Sequence, residues 1–437
     1  MTARDARLFS RGNRRAVISW ALWDWGSAAF NAIILTFVFT VYLTDEVAET
    51  PERGSQALGV AFAVAAVVIA LLAPLTGQRA DIGGRRRLWL GVHTGIVVVC
   101  IAGLFFIRDD PAYLLPGLVL IGVAAVFAEF AGVNYNAMLV QVATKATIGR
   151  VSGFGWGMGY FGGLVALTIV LFAFILPEVG LFGVTSEDGL NVRAVALFAA
   201  AWFAVFAIPV VIAVPEAPAS GEPIRRSIIA SYAALGRRLA QLWREDRRTL
   251  WFLGASAIYR DGLAAVFTLG GVIAAGTFGF SAAEIIAFAI AANLTAGIGA
   301  VAGGRLDDRL GPKNVIVGSL LVVVLLGGTL VALTSKAAFW ACGLTLAAFV
   351  GPTQSASRTF LARIVPQERE GEAFGLYATT GRAVSPLAPL AFGGFIALFG
   401  SQRAGMAGIV LVLLAGLLAI LPVRAPASSA DTARRGR

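Results

Sequence analysis

Apolar runs of about 20 residues follow one another along almost the whole chain, each ended by a short charged or glycine-bearing stretch. A helix rising about 1.5 Å per residue needs about 20 of them to cross a hydrocarbon core of about 30 Å. Within that core every backbone N–H and C=O must be bonded inside the span, so continuous runs dictate a bundle of membrane-crossing helices. A barrel of strands would show short alternating segments instead. Composition agrees, since only 14% of the 437 residues are charged against roughly a quarter in soluble domains. No stretch remains for a sizeable soluble domain.

Reading the runs between charged punctuation predicts twelve spans, near 17–43, 56–76, 88–107, 112–141, 152–176, 194–214, 249–277, 281–303, 314–333, 338–362, 372–399 and 404–423. They are numbered 1 to 12 here. The net charge of +10 is not a nucleic-acid footprint, because the basic residues cluster in alternate loops. Of the 35 Lys and Arg, 27 lie in the two tails and the loops 2–3, 4–5, 6–7, 8–9 and 10–11. The remaining loops hold Arg53, Arg108, Arg193, Lys336 and Arg403. The positive-inside rule therefore predicts both termini in the cytoplasm. The first run is too long for a cleaved signal peptide and is expected to remain as span 1. One histidine, His93, and the separated Cys100 and Cys342 offer no metal cluster and no Cys-His couple, so no cofactor is expected.

The largest loop, 215–248, divides the chain into an N-terminal half, 1–214, and a C-terminal half, 249–437. Its "PEAPASGEP" reads as extended linker. Beyond it Ile228, Tyr232, Leu235, Leu239 and Leu242 recur at helical spacing, which predicts an amphipathic helix along the membrane face. The halves echo each other: "GQRADIGGRR" (77–86) and "GRLDDRLGPK" (304–313) align without gaps, each after the second span of its half. Asp24 and Asp261 each precede a phenylalanine, Phe30 and Phe267, by six residues in the first span of their halves. Two repeats enclosing a central site is a common transporter plan.

At these residues the chain resembles the major facilitator superfamily, whose signature is a glycine-Asp-glycine-basic loop after spans 2 and 8. More narrowly, "SWALWDWGSAAFNAIILTFVF" (19–39), "GRVSGFGWGMGYFGG" (149–163), "YRDGLAAVFTLGGVIAAGTFGFS" (259–281) and "GPTQSASRTFLARIVPQEREGEAFGLY" (351–377) resemble the bacterial branch related to the fungal autophagy-linked vacuolar amino-acid effluxers. The resemblance implies an all-α membrane protein with twelve transmembrane helices in two pseudo-symmetric six-helix bundles, the major facilitator fold. It also implies a secondary transporter in which the bundles rock around a central site. Gly77, Asp81, Gly84, Arg85, Gly304, Asp308, Arg309, Gly311 and Lys313 would form a charge latch at the cytoplasmic gate, with Arg86 beside them. Ile82 departs from the pattern, standing where a basic residue is usual; Arg309 fills that place in the second half. Simple anchoring explains the arginines equally well, but not the repeated Asp and Gly.

Leaving aside Glu284 and Glu372 at the span ends, six charges fall within spans: Asp24, Glu129, Arg260, Asp261, Arg358 and Arg382, on spans 1, 4, 7, 7, 10 and 11. A charge at the bilayer centre costs at least about 2.5 kcal/mol, so each must face a cavity or a partner. Spans 3, 6, 9 and 12 carry none, as their peripheral place in the resembled fold requires. Helical rise puts Asp261 and Arg382 roughly 15–18 Å from the cytoplasmic ends of their spans, near the midplane. Arg382 is the candidate contact for a substrate carboxylate, because its planar fork matches that group. Asp24, Glu129 and Asp261 are candidate proton carriers, since partial desolvation raises a carboxyl pKa towards neutrality. The alternative for each is a structural ion pair, such as Asp261 or Glu129 with Arg382.

Asn31, Asn134, Asn136, Asn293 and Gln354 add amides, of which Asn31, Asn134, Asn136 and Gln354 are candidate substrate contacts; helix-to-helix bonding is the alternative. Trp23 and Trp25 flank Asp24 and read as interfacial anchors. The glycines of span 5 allow close helix approach, and Pro386 and Pro389 can kink span 11 beside Arg382. The expected function is movement of a small solute by alternating access, an amino acid on the resemblance and plausibly with protons. A sugar, organic acid or lipid substrate is the alternative, as is a non-transporting sensor with this fold. A membrane enzyme would need a nucleophile or metal site that the sequence lacks. The chain is expected to work as a monomer in a bacterial cytoplasmic membrane.

Overall fold

The computed structural model describes residues 13–216 and 228–424. Most arginines of the two tails, the "PEAPASGEP" stretch beyond residue 216 and the Ile228 side chain lie outside the described set. Among the described residues the chain is nearly all helix, and eleven segments are long and apolar enough to cross a membrane. Span 10, Lys336–Ile364, is as long as its neighbours but less apolar. Thr353, Ser355, Ser357, Arg358 and Thr359 follow one another along its last turns, all buried against other helices. Protein neighbours, not lipid, take up that polarity.

Span 1 begins as the α-helix Asn13–Ala29 and continues through the wider turns Phe30–Phe37 and Leu43–Val47. Spans 2 to 6 are Pro51–Gly83, Arg86–Gly103, Leu114–Ala137, Ile148–Val170 and Leu190–Ala213. Spans 7, 8, 9 and 12 are Arg247–Phe278, Ala282–Leu310, Pro312–Ala332 and Gln402–Ile420. Capping side chains set several starts: Thr50 accepts from the Arg53 N–H, and Ser281 with Glu284 forms a reciprocal capping box.

Two elements differ from the sequence expectation. Most of the repeated "loop" is helix, because span 2 runs on through Asp81 and span 8 through Asp308. The Gly-x-x-x-Asp spacing thus sets its glycine and its aspartate one turn apart on one helix face. Only Gly84, in left-handed conformation (φ 59°), makes the first turn. Span 11 is broken into Glu370–Val384 and Leu387–Phe399, with Pro386 at the break.

The same neighbours pack together in each half. Span 1 lies against 5 and 6, span 2 against 4, and span 3 against 4 and 6; spans 7 to 12 repeat these pairings six positions on. The bundles meet through spans 2 and 11 and spans 5 and 8. Large apolar side chains such as Val60, Val99, Phe172, Ile212 and Leu325 stand exposed around the outside, as a hydrocarbon-facing belt requires. The linker forms the helix Ile228–Glu245, which buries Leu235, half-buries Tyr232 and Leu239, and bonds the Tyr232 hydroxyl to the Leu71 carbonyl.

Candidate functional site

At the arginine-rich end the bundles are latched by two matching arrangements. Asp81, at the end of span 2, accepts the N–H groups of Gly371 (3.0 Å) and Glu372 (2.9 Å) at the start of span 11. Asp308, at the end of span 8, accepts those of Gly149 (2.8 Å) and Arg150 (3.2 Å) at the start of span 5. Each carboxylate satisfies the free donors of a helix in the opposite bundle and meets the positive end of its dipole. The glycines make this approach possible. A Cβ on Gly77 would strike the carbonyl of Gly371, and one on Gly304 the carbonyl of Gly149.

The surrounding charges break the symmetry. Arg86, 1% exposed, donates to Asp81 (2.9 Å), Glu370 (2.8 Å), the Ala137 carbonyl (3.1 Å) and the Gln367 carbonyl (2.8 Å). Its counterpart Lys313 stays at the surface and bonds the Leu421 carbonyl (2.7 Å). The position matching Glu370 is Ile148, which offers nothing to draw Lys313 inward. Arg85 and Arg309 are exposed and take no part in the latch, and Ile82 is buried. Asp307 and Arg363, not singled out by sequence, pair at 2.6 Å beside Asp308. Their adjacency to Asp308 and to the end of span 10 was the available signal.

Deeper in, Asp24 is held between the bundles. Tyr135 of span 4 donates its hydroxyl to Asp24 (3.0 Å), and Arg358 of span 10 lies 3.8 Å from the same carboxylate. Trp20 and Trp23 stack on the Tyr135 ring, each with centroids 4.4 Å apart. Arg358 also donates to the Ser152 hydroxyl (2.9 Å) and carbonyl (2.7 Å) and to Asn136 Oδ1 (3.1 Å), all in the other bundle. Trp23 is buried and bonds Thr94, while Trp25 packs on Trp202 and Phe206. Both therefore pack inside the bundle rather than anchor at an interface. Trp20 and Tyr135 lay outside the sequence reading, although Trp20 stands one turn before Asp24.

A second cross-bundle pair joins Glu129 of span 4 to Arg382 of span 11 at 2.5 Å, both partly exposed. Asp261 pairs with neither arginine. It accepts the Ala388 N–H (2.6 Å) just past the break in span 11, so it caps the helix that Pro386 interrupts. Among the five amides singled out in the sequence, Asn136 bonds across the bundles. Asn31, Asn134 and Asn293 bond carbonyls one turn back in their own helices, and Asn134 Oδ1 is enclosed without a partner. Gln354 is half-buried on span 10. Tyr160 of span 5 meets Phe267 of span 7 at 6.3 Å. At similar depth the Thr379 hydroxyl of span 11 donates to the Ala70 carbonyl of span 2 (3.0 Å). No group of three or more possible metal ligands occurs among the described residues.

The profile of the family described as "Vacuole effluxer Atg22 like" matches residues 140–433. The chain belongs to the Atg22-like family. An uncharacterised MFS-type transporter of Bacillus subtilis, YxiO, is 25% identical to it over 410 residues, 92% of this chain and 94% of that protein. Autophagy-related protein 22 of Cryptococcus neoformans is 24% identical over 72% of this chain, which spans about three fifths (61%) of that longer protein. Among solved structures, the proton:xylose symporter XylE superposes with a TM-score of 0.72 at 14% identity, covering 96% of this chain and 97% of its own. The E. coli fucose:proton symporter FucP gives 0.69 at 13% identity, covering 96% and 100%. These likenesses give the fold. This Atg22-like chain is a multi-pass transporter of the major facilitator superfamily and not an enzyme.

Proposed function

We propose that this Atg22-like transporter carries a small amino-acid-like solute by alternating access, coupled to protons. Its arginine-rich face and both termini would lie in the cytoplasm, as the placement of Lys and Arg requires. A bacterial cytoplasmic membrane is then its site. The observation that carries the reading is the pair of ionic contacts within the spans, Asp24–Arg358 and Glu129–Arg382, each joining one bundle to the other.

Such pairs make bundle contact depend on charge. A proton on Asp24 cancels its attraction for Arg358, and Arg358 helps tie span 10 to spans 4 and 5. A zwitterionic solute can offer its ammonium to Glu129, loosening Arg382 in exchange. Both events weaken links that span the two bundles, and both use groups on the walls of one cavity. The amino-acid reading rests on the family resemblance set out above. Asp81 and Asp308, with Gly77 and Gly304, then act as the latch of the conformation closed to the cytoplasm.

The test is uptake of a labelled amino-acid panel by proteoliposomes, with and without a proton gradient. Gradient-driven accumulation that disappears in Asp24→Asn supports the reading. Accumulation indifferent to the gradient removes the proton, and flux restricted to sugars or organic acids removes the amino acid.

A further inference from the structure

Five of the six charges within the spans have answered partners. Asp24 has Arg358, Glu129 has Arg382, and Asp261 has the Ala388 N–H. Arg260 has no carboxylate within 4.0 Å among the described residues. Its partners are neutral and come from span 11. The guanidinium sits 3.6 Å from the centroid of the Tyr377 ring, and Nη1 donates to the Tyr377 carbonyl at 3.2 Å. One turn on, Gly381 leaves the space beside it open, since a Cβ there would already lie 3.4 Å from Nη1. The cation is thus held in place but not neutralised.

Its position points it at the pathway. Arg260 lies seven residues before Phe267, and residues at that spacing share a helix face. Phe267 meets Tyr160 of the other bundle, so this face of span 7 looks across the cavity. Behind Tyr160 on span 5, Trp156 is packed in with its indole N–H fully enclosed. That ring lies 6.2 Å from Tyr160 and 5.9 Å from the Arg358 guanidinium. A half-buried cation without a counter-ion, on a helix face turned to the other bundle, calls for acceptor oxygens brought by a ligand. Arg382 is less suited to the task because Glu129 already neutralises it.

We infer that Arg260, positioned by Tyr377, is the contact for a carboxylate of the transported solute, so that the cavity selects carboxylate-bearing solutes over their uncharged analogues. This rests on reading the cavity as the substrate pathway. Arginine suits the role because its fork can bond a carboxylate through two parallel N–H groups while its face stacks on tyrosine.

The test uses the full-length protein in nanodiscs and direct binding of a fixed panel: the amino acids, their C-terminal amides, simple mono- and dicarboxylates, and neutral sugars. Wild type is compared with Arg260→Gln, Arg260→Lys and Tyr377→Leu. The expected result is a preference of about tenfold or more for acid over amide in wild type, lost in Arg260→Gln and reduced in Arg260→Lys and Tyr377→Leu. Binding of a non-amino-acid carboxylate with the same dependence on Arg260 supports the inference while ending the amino-acid reading. Equal binding of acid and amide, binding of sugars alone, or no carboxylate ligand in the panel overturns it. If Arg260→Gln does not elute as a folded monodisperse species, the other two variants decide: an acid preference unchanged in both overturns the inference.

Discussion

Asp81 and Asp308 occupy equivalent places in the two halves, and each caps the first turn of a helix in the opposite bundle. Their surroundings are unequal. Asp81 shares the buried Arg86, whereas Asp308 shares Arg150, which is 59% exposed, and the more distant Arg363 (3.6 Å), which Asp307 already engages at 2.6 Å. Removing one partner of a buried pair costs about 3–5 kcal/mol, while an exposed pair contributes about 0–1 kcal/mol. Asp81→Asn is therefore expected to open the arginine-rich face much more than Asp308→Asn. Spin-label distances between the ends of spans 2 and 11 and of spans 5 and 8 measure it; equal opening would show that Arg86 adds nothing.

Gly77 and Gly371 touch backbone to backbone, and a methyl group on either has nowhere to go. Gly77→Ala and Gly371→Ala should each shift the protein away from this closed arrangement, with Gly77→Val stronger than Gly77→Ala. Gly83→Ala is the control, because its Cβ would meet nothing within 4 Å and alanine favours a helix by about 1 kcal/mol over glycine. Modification of a single cysteine placed at residue 374 reads closure directly, with Cys100 and Cys342 replaced beforehand. Closure unaffected by Gly77→Val would remove the close approach as a requirement.

Arg358 makes three hydrogen bonds to the other bundle besides its approach to Asp24. Arg358→Gln alone leaves Asp24 in its aromatic enclosure without a cation and should destabilise the fold by about 3–5 kcal/mol. The double variant Asp24→Asn/Arg358→Gln should recover a large part of that loss, as coupled neighbours do, without regaining gradient-driven uptake. Thermal unfolding and uptake on the same preparations separate the two effects. Strictly additive losses would mean that the residues are not coupled.

Asp261 accepts a backbone N–H at the restart of span 11, and that role needs an acceptor but not a charge. Asp261→Asn should keep stability within about 0.5 kcal/mol, whereas Asp261→Ala should lose about 1 kcal/mol, the usual worth of a cap. Uptake that loses its gradient dependence in Asp261→Asn at unchanged stability would instead make Asp261 a proton carrier.

Much of the architecture was legible in the chain. Runs of apolar residues located the spans, because a helix in hydrocarbon must satisfy its own backbone and hide its charges. The unequal placement of Lys and Arg predicts an orientation, and the paired Gly-x-x-x-Asp segments showed where the halves correspond. Asp24, Glu129 and Arg382 stood out for the same reason: charges in a membrane span need partners. Arg86 was harder to separate from Arg85, since both are one basic residue after another in a short turn. The turn at Gly84 buries the side chain of Arg86 and turns that of Arg85 to the surface.

Partner choice was decided elsewhere. Helical spacing fixes which residues share a face, but not which face of another helix lies opposite, or at what height. Arg382 could have met Asp261 or Glu129 from its depth alone, and the break at Pro386 settled the matter by presenting the Ala388 N–H to Asp261. Arg358 found Asp24 only because spans 1, 4, 5 and 10 converge below the cavity. The sequence by itself determined a twelve-span repeat protein with charges turned inward. The packing of one bundle on the other determined which of those charges became links, because pairing energies depend on separations of a few ångströms that no one-dimensional pattern contains.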